Sequence, residues 1–145
     1  MPAWHCYSTV TIGVLVASRL YELAFHGWDV RATASSAAQI RPELGPFLVG
    51  VVRQLLPAFC IPEAGINTSC QFEVDGQTWV TRIAEGKLEE VSNIAEPEAV
   101  VRTDASTFLL LATERRTLAD CADRVAIERA RDRAEQVLSV SRFRV

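Results

Sequence analysis

One short stretch of the sequence groups side chains able to do chemistry: Arg19, Glu22, His26 and Asp29. At about 100° per residue they fall within one narrow stripe of a helix. A carboxylate and an imidazole four residues apart reach one point from successive turns, so Glu22 and His26 can ligate one divalent metal. Imidazole with carboxylate suits zinc, and another first-row ion such as nickel is compatible. Arg19 and Asp29 then stand one step further out, where hydrogen bonds would orient the two ligands. The same stripe runs back into Leu15 and Ile12, which predicts a polar site set into an otherwise buried face. From the spacing alone, a Glu and a His four apart on a helix are more often a surface pair or a capped core histidine than metal ligands.

The element that must carry this stripe is a helix from Thr9 to about Val30, with Ser8 or Thr9 as its cap and Gly27 weakening its last turns. Arg31 to Arg41 reads as a connector. Phe47, Leu48, Val51, Val52 and Leu55 then recur at helical spacing, predicting a second helix from Pro42 to Leu56 that Pro57 stops. Pro62 to Gly65 mark a linker, which divides the chain into residues 1–61 and 62–145.

From Ile66 the period changes to two. Cys70, Phe72 and Val74 alternate with polar residues as in a half-buried strand, and Asp75-Gly76 is a hairpin turn whose central residues need positive φ. Gln77 to Ala84 is the partner strand, with Trp79, Thr81 and Ile83 on one face; Lys87 to Ser92 and Ala99 to Thr103 follow as strands. Asp104 to Leu111 turns helical, Thr117 and Asp120 form a capping arrangement, and Val125 to Glu128 is a last short strand. Arg129 to Val140 is an amphipathic helix with Ala134, Val137 and Leu138 inward. Strands followed by clustered helices make an α+β arrangement with a mainly antiparallel sheet.

The string Arg19-x-x-Glu22-x-x-x-His26-Gly27-Trp28-Asp29 resembles the motif near the end of the helical domain in mycothiol-dependent maleylpyruvate isomerase-type, DinB-like proteins. Arg41 to Pro57 resembles the helix leading out of that bundle. Gln71 to Leu138 is similar to the family's sterol-carrier-like carboxy-terminal domain, with Val101 to Phe108 its most typical string. The resemblance implies residual helices of a DinB-like bundle in residues 1–61 and a sterol-carrier-like domain in residues 62–145. It also implies Glu22 and His26 as two of three zinc ligands, a mycothiol-like thiol cofactor, and isomerisation of a small dicarboxylic acid. The family's third ligand is a histidine on an earlier helix, and His5 does not match it. The reading is therefore a truncated or degenerate isomerase relative, inactive alone. The alternative is a non-catalytic sterol-carrier-like module that binds a small apolar or lipid ligand.

Other residues enter as candidates. Arg102, Arg115 and Arg116 can contact the anionic group of a carboxylate ligand or thiol cofactor. Trp79, Phe108 and Leu111 are core residues or, in a sterol-carrier-like domain, pocket-lining ones. His5 and Cys6 point apart as neighbours on a regular element, which argues against a thiolate pair. The remaining cysteines, Cys60, Cys70 and Cys121, are scattered, as expected of reduced thiols in a cytoplasm, though Cys60 and Cys70 could bridge across a loop.

With 15 basic and 18 acidic residues and no basic run, nothing concentrates the positive charge that nucleic acid or an anionic membrane requires. The first 18 residues lack charge, but Arg19 and Glu22 end the run short of the ~20 apolar residues of a spanning helix. No basic residue precedes it as in a signal peptide. A cytoplasmic protein is expected, with the apolar first helix pairing with a second copy where its bundle partners are absent.

Overall fold

The computed structural model describes residues 2–5, 8–60, 62–63, 65–92 and 94–140, with side chains described for 12–57, 60, 62–63, 65–92 and 94–140. An antiparallel pair of short strands, β1 (Pro2–His5) and β2 (Ser8–Thr11), leads directly into α1 (Ile12–Ala34). The helix thus starts later than Thr9. Thr9, Val10 and Thr11 are branched at Cβ, which favours extended backbone over helix.

Tyr21, Ala24, Phe25 and Trp28 form the face that α1 buries, at the 3–4 spacing of successive turns. Trp28 is fixed by its indole Nε1, which donates to the Ala38 carbonyl at 2.9 Å. The expected buried stripe through Ile12, Leu15, Glu22 and His26 is instead open, with Ile12 exposed, Leu15 half-buried and the His26 side chain 74% exposed. The aromatic residues of the neighbouring face outcompete it for the interior because they bury more apolar surface.

A 3-10 turn (Pro42–Leu44) opens into α2 (Gly45–Phe59). Glycine is required at its start, because a Cβ on Gly45 would meet the Ala105 Cβ at 2.9 Å. Pro57 lies inside the helix rather than ending it. In the last turn it removes a single backbone bond, and Cys60 N–H donating to the Leu56 carbonyl at 2.9 Å closes the end.

Five strands make the main sheet: β3 (Thr68–Val74), β4 (Gln77–Ala84), β5 (Lys87–Val91), β6 (Ala99–Thr103) and β7 (Ala126–Arg129), in the order β5-β4-β3-β6-β7. Asp75 and Gly76 turn between β3 and β4 with φ of 45° and 81°, and Glu85 and Gly86 repeat the device at 53° and 71°. The sheet is mixed. β3–β4, β4–β5 and β6–β7 are antiparallel, but β3 and β6 run parallel. The two hairpins occupy one edge of β3, so the chain must cross to its other edge to add β6, and it arrives in the same direction.

Register places Thr68, Cys70 and Phe72 opposite Ile83, Thr81 and Trp79, all buried on one face, with Val101 beside Phe72. That face packs with α2, α3 (Ala105–Ala112) and α4 (Arg131–Val140) into one core that also takes in Tyr21, Phe25 and Trp28 of α1. At its centre Trp79 stacks on Phe72 at 5.3 Å, and Phe108 meets both rings edge-on at 5.3 and 5.7 Å. Every residue of α3 is buried. Its start is held by Asp104, whose Oδ1 accepts from Thr107 N–H at 2.9 Å, and by Asp75, whose Oδ2 accepts from Ala105 N–H at 2.9 Å.

Candidate functional site

A cleft of about 680 Å³ lies where the end of α3, the following turns and α4 meet. Its apolar wall comes from Leu111, Leu118, Ala119, Ala122 and Leu138; Glu114, Arg116, Arg131 and Glu135 supply charge around it. Local bonding explains the shape. Glu114 at φ 56° ends α3, and Arg115 N–H donates to the Leu110 carbonyl at 2.9 Å. Thr117 and Asp120 then lock a turn: Asp120 Oδ2 accepts from Thr117 N–H at 2.8 Å and from its hydroxyl at 2.6 Å. The same bonds hold the Asp120 carboxyl below the usual carboxylate range. This turn presents Leu118 and Ala119, while β7 carries the chain back so that α4 sets Leu138 in the same wall as Leu111.

Arg131 donates to Glu135 at 2.9 Å, so that rim pair is self-neutralised. Arg116 gives one Nη2 hydrogen bond to the Ser36 carbonyl, and its guanidinium lies 5.9 Å from the Trp28 ring. It also borders a smaller cleft of about 240 Å³ containing Cys121, whose thiol burial pushes up. A raised thiol is a poor nucleophile at neutral pH, so Cys121 is not set up for covalent chemistry. Cys70 is pushed further, to about 12, by burial. Neither Cys60 nor Cys70 is in a disulfide. Cys6 and the side chain of His5 lie outside the described residues.

Glu22 and His26 share one open side of α1 with Arg19 and Asp29. Glu22 Oε2 is 2.5 Å from Arg19 Nη1, which commits the carboxylate to a guanidinium. Asp29 accepts both Arg115 Nε (2.8 Å) and Nη2 (2.9 Å), and His26 Nδ1 stands 3.5 Å from it. Arg115 holds the Asp29 carboxyl below its usual range, mainly through these hydrogen bonds. Arg115 also lies over the Phe25 ring at 4.8 Å, so it ties α1 to the end of α3. Burial raises the Tyr21 phenol to about 12 against the opposing charge of Arg115. Among the described residues no three His, Cys, Asp or Glu side chains converge as a metal would require. Two ligands, one of them paired with arginine, do not fit a catalytic zinc, which takes three plus water.

The remaining candidates separate cleanly. Arg102 Nε donates to Glu73 Oε2 at 2.6 Å and its Nη1 to Glu128, which holds Glu73 low and Arg102 high. Both Arg102 and Arg115 are therefore occupied by carboxylates. Trp79 and Phe108 sit in the aromatic core, with Arg53 over the Trp79 ring at 4.5 Å; Leu111 lines the cleft. Sequence reasoning missed Leu118, Ala119 and Ala122 as a wall. Their signal was apolar residues inside a segment whose Thr117 and Asp120 already marked it as a turn.

No family model matches the chain, and no curated protein matches it. Solved structures do. One titled UbiJ-SCP2 ubiquinone synthesis protein superposes with a TM-score of 0.52 at 13% identity, covering 66% of this chain and 94% of that one. A double mutant of the sec-alkyl sulfatase PisA1 superposes at 0.54 and 12% identity, over 69% of this chain and 17% of that one. Sterol carrier protein 2-like 2 from Aedes aegypti gives 0.46 at 13% identity, over 66% and 94%. The fold is sterol carrier protein 2-like. Neither title with a TM-score above 0.5 names an isomerase.

Proposed function

We propose that this protein is a non-catalytic binding module that takes a small apolar or lipid ligand into the cleft between α3 and α4. One observation carries the reading: a cleft of about 680 Å³ with an apolar wall and a charged rim, on a sterol carrier protein 2-like fold. That volume is within the usual ~300–1,000 Å³ of small-molecule sites, which are mostly apolar with a few polar groups fixing orientation. The ligand's apolar part would lie on Leu111, Leu118 and Leu138. A polar end would face Arg116, the candidate arginine that borders the cleft.

Native mass spectrometry of the protein as purified tests this. The expected result is a second species heavier by one small apolar molecule, lost on organic extraction. A single unliganded mass, unchanged after incubation with palmitate, would count against the reading. Metal analysis of the same sample bears on Glu22 and His26. A metal ion at one per chain, lost in Glu22→Ala, would restore the metal-dependent reading and require a third ligand from outside the described side chains.

A further inference from the structure

α1 carries a second apolar stripe whose large side chains are exposed. Val16, Leu20, Leu23, Gly27 and Val30 recur at alternating intervals of four and three, the spacing of a coiled-coil seam. Val16, Leu20, Leu23 and Val30 are 51, 36, 71 and 71% exposed. Gly13 extends the repeat by one position toward the start of the helix. The buried face through Tyr21, Phe25 and Trp28 points elsewhere, so the seam is additional to the contacts that hold α1 to the body.

The geometry points to a second copy of this chain as the occupant, packed antiparallel along α1. A two-fold axis between Leu20 and Leu23 sets Leu20 against the partner's Leu23, Val16 against the partner's Gly27, and Gly13 against the partner's Val30. Each small residue thus meets a large one, and the pattern is complementary to itself only in this direction. A parallel pairing would face glycine with glycine. The hole for Val16 already exists: a cleft of about 250 Å³ lined by Leu20, Leu23, Ala24, Gly27, Arg31, Arg41 and Leu44. The seam from residue 13 to 30 is about 27 Å long at the helical rise. Arg19 is bound to Glu22 and Asp29 to Arg115 within each copy, which compensates the charges flanking the seam; Arg31 and Arg41 at the cleft are the cations that the partner's Val16 packs beside. Antiparallel helices also align their dipoles favourably. The pairing is independent of the ligand proposed above.

Sedimentation equilibrium over a hundredfold concentration range tests it. The wild type should approach twice its 16.0 kDa mass at the upper end. Leu23→Arg should weaken association at least tenfold, as a charge at the seam's centre does. Gly27→Leu distinguishes the register. Within one copy a Cβ at this position meets nothing closer than Arg31 Nη1 at 3.4 Å, so the variant should keep its far-UV circular dichroism. It should nevertheless be monomeric, and Val16→Ala added to it should recover the dimer. A wild type that stays monomeric throughout overturns the proposal. A Gly27→Leu dimer as tight as wild type overturns the antiparallel register.

Discussion

α3 and α1 are both rich in apolar residues, yet the fold uses them in opposite ways. All of α3, Ala105–Ala112, is buried, whereas α1 over its 23 residues buries only Tyr21, Ala24, Phe25 and Trp28. A helix apolar on every side belongs in an interior, and α3 has one because α2, the sheet and α4 enclose it. α1 instead divides its apolar residues between two stripes, one of which reaches the body. Apolar content is therefore no measure of burial; the angular placement of the side chains decides it.

The strongest way to break that contrast is to cut into the enclosed side. Phe72→Ala removes one of three mutually packed rings and should cost about 3–5 kcal/mol in urea unfolding. A loss under about 1 kcal/mol would mean the ring cluster is looser than its 5.3 and 5.7 Å spacings indicate. Asp104→Ala deletes the cap of α3 and should cost about 1 kcal/mol. Asp104→Asn should recover most of it by the same measurement.

The link between the two helices is weaker. A double-mutant cycle on Asp29 and Arg115 should give a coupling of about 1 kcal/mol or less, since the Asp29 side chain is 42% exposed and water screens the pair. Its pH dependence has a definite sign. Arg115 depresses the carboxyl in the folded state, so the stabilisation is complete above the unfolded carboxylate value of ~4 and fades as pH falls through the folded one. Acid titration of the wild type and Asp29→Asn should therefore converge at low pH; parallel curves would show that the pair contributes nothing. The smallest effect belongs to the open stripe. Leu23→Ser, diluted until monomeric, should change stability by no more than about 0.5 kcal/mol.

The same contrast explains what could be read from the residues. The β3–β4 hairpin was legible because alternation at Cys70, Phe72 and Val74 and the Asp75-Gly76 turn are local signals with one solution. Gln77–Ala84 and Ala99–Thr103 have the expected bounds for that reason. The parallel β3–β6 pairing was not legible, because it depends on which edge of β3 the earlier hairpins leave vacant. The start of α1 was misplaced where β-branched Thr9, Val10 and Thr11 pair as a strand. Glu22 and His26 were identifiable by type, but the exposure of their side of the helix follows from what the rest of the chain encloses. The cleft was visible only as Leu111 and Arg116. Its other wall residues come from segments that meet through β7, and Leu138, read as an inward residue, is half-buried at the cleft's edge.

The most direct test is a fluorescence titration with cis-parinaric acid, comparing the wild type with Leu138→Arg. The wild type should show saturable one-to-one binding that palmitate displaces. The variant, which puts a cation into the apolar wall, should lose at least tenfold in affinity while keeping its far-UV spectrum. Absence of saturable binding by the wild type, or equal binding by a folded Leu138→Arg, would contradict the assignment of the α3–α4 cleft as the ligand site.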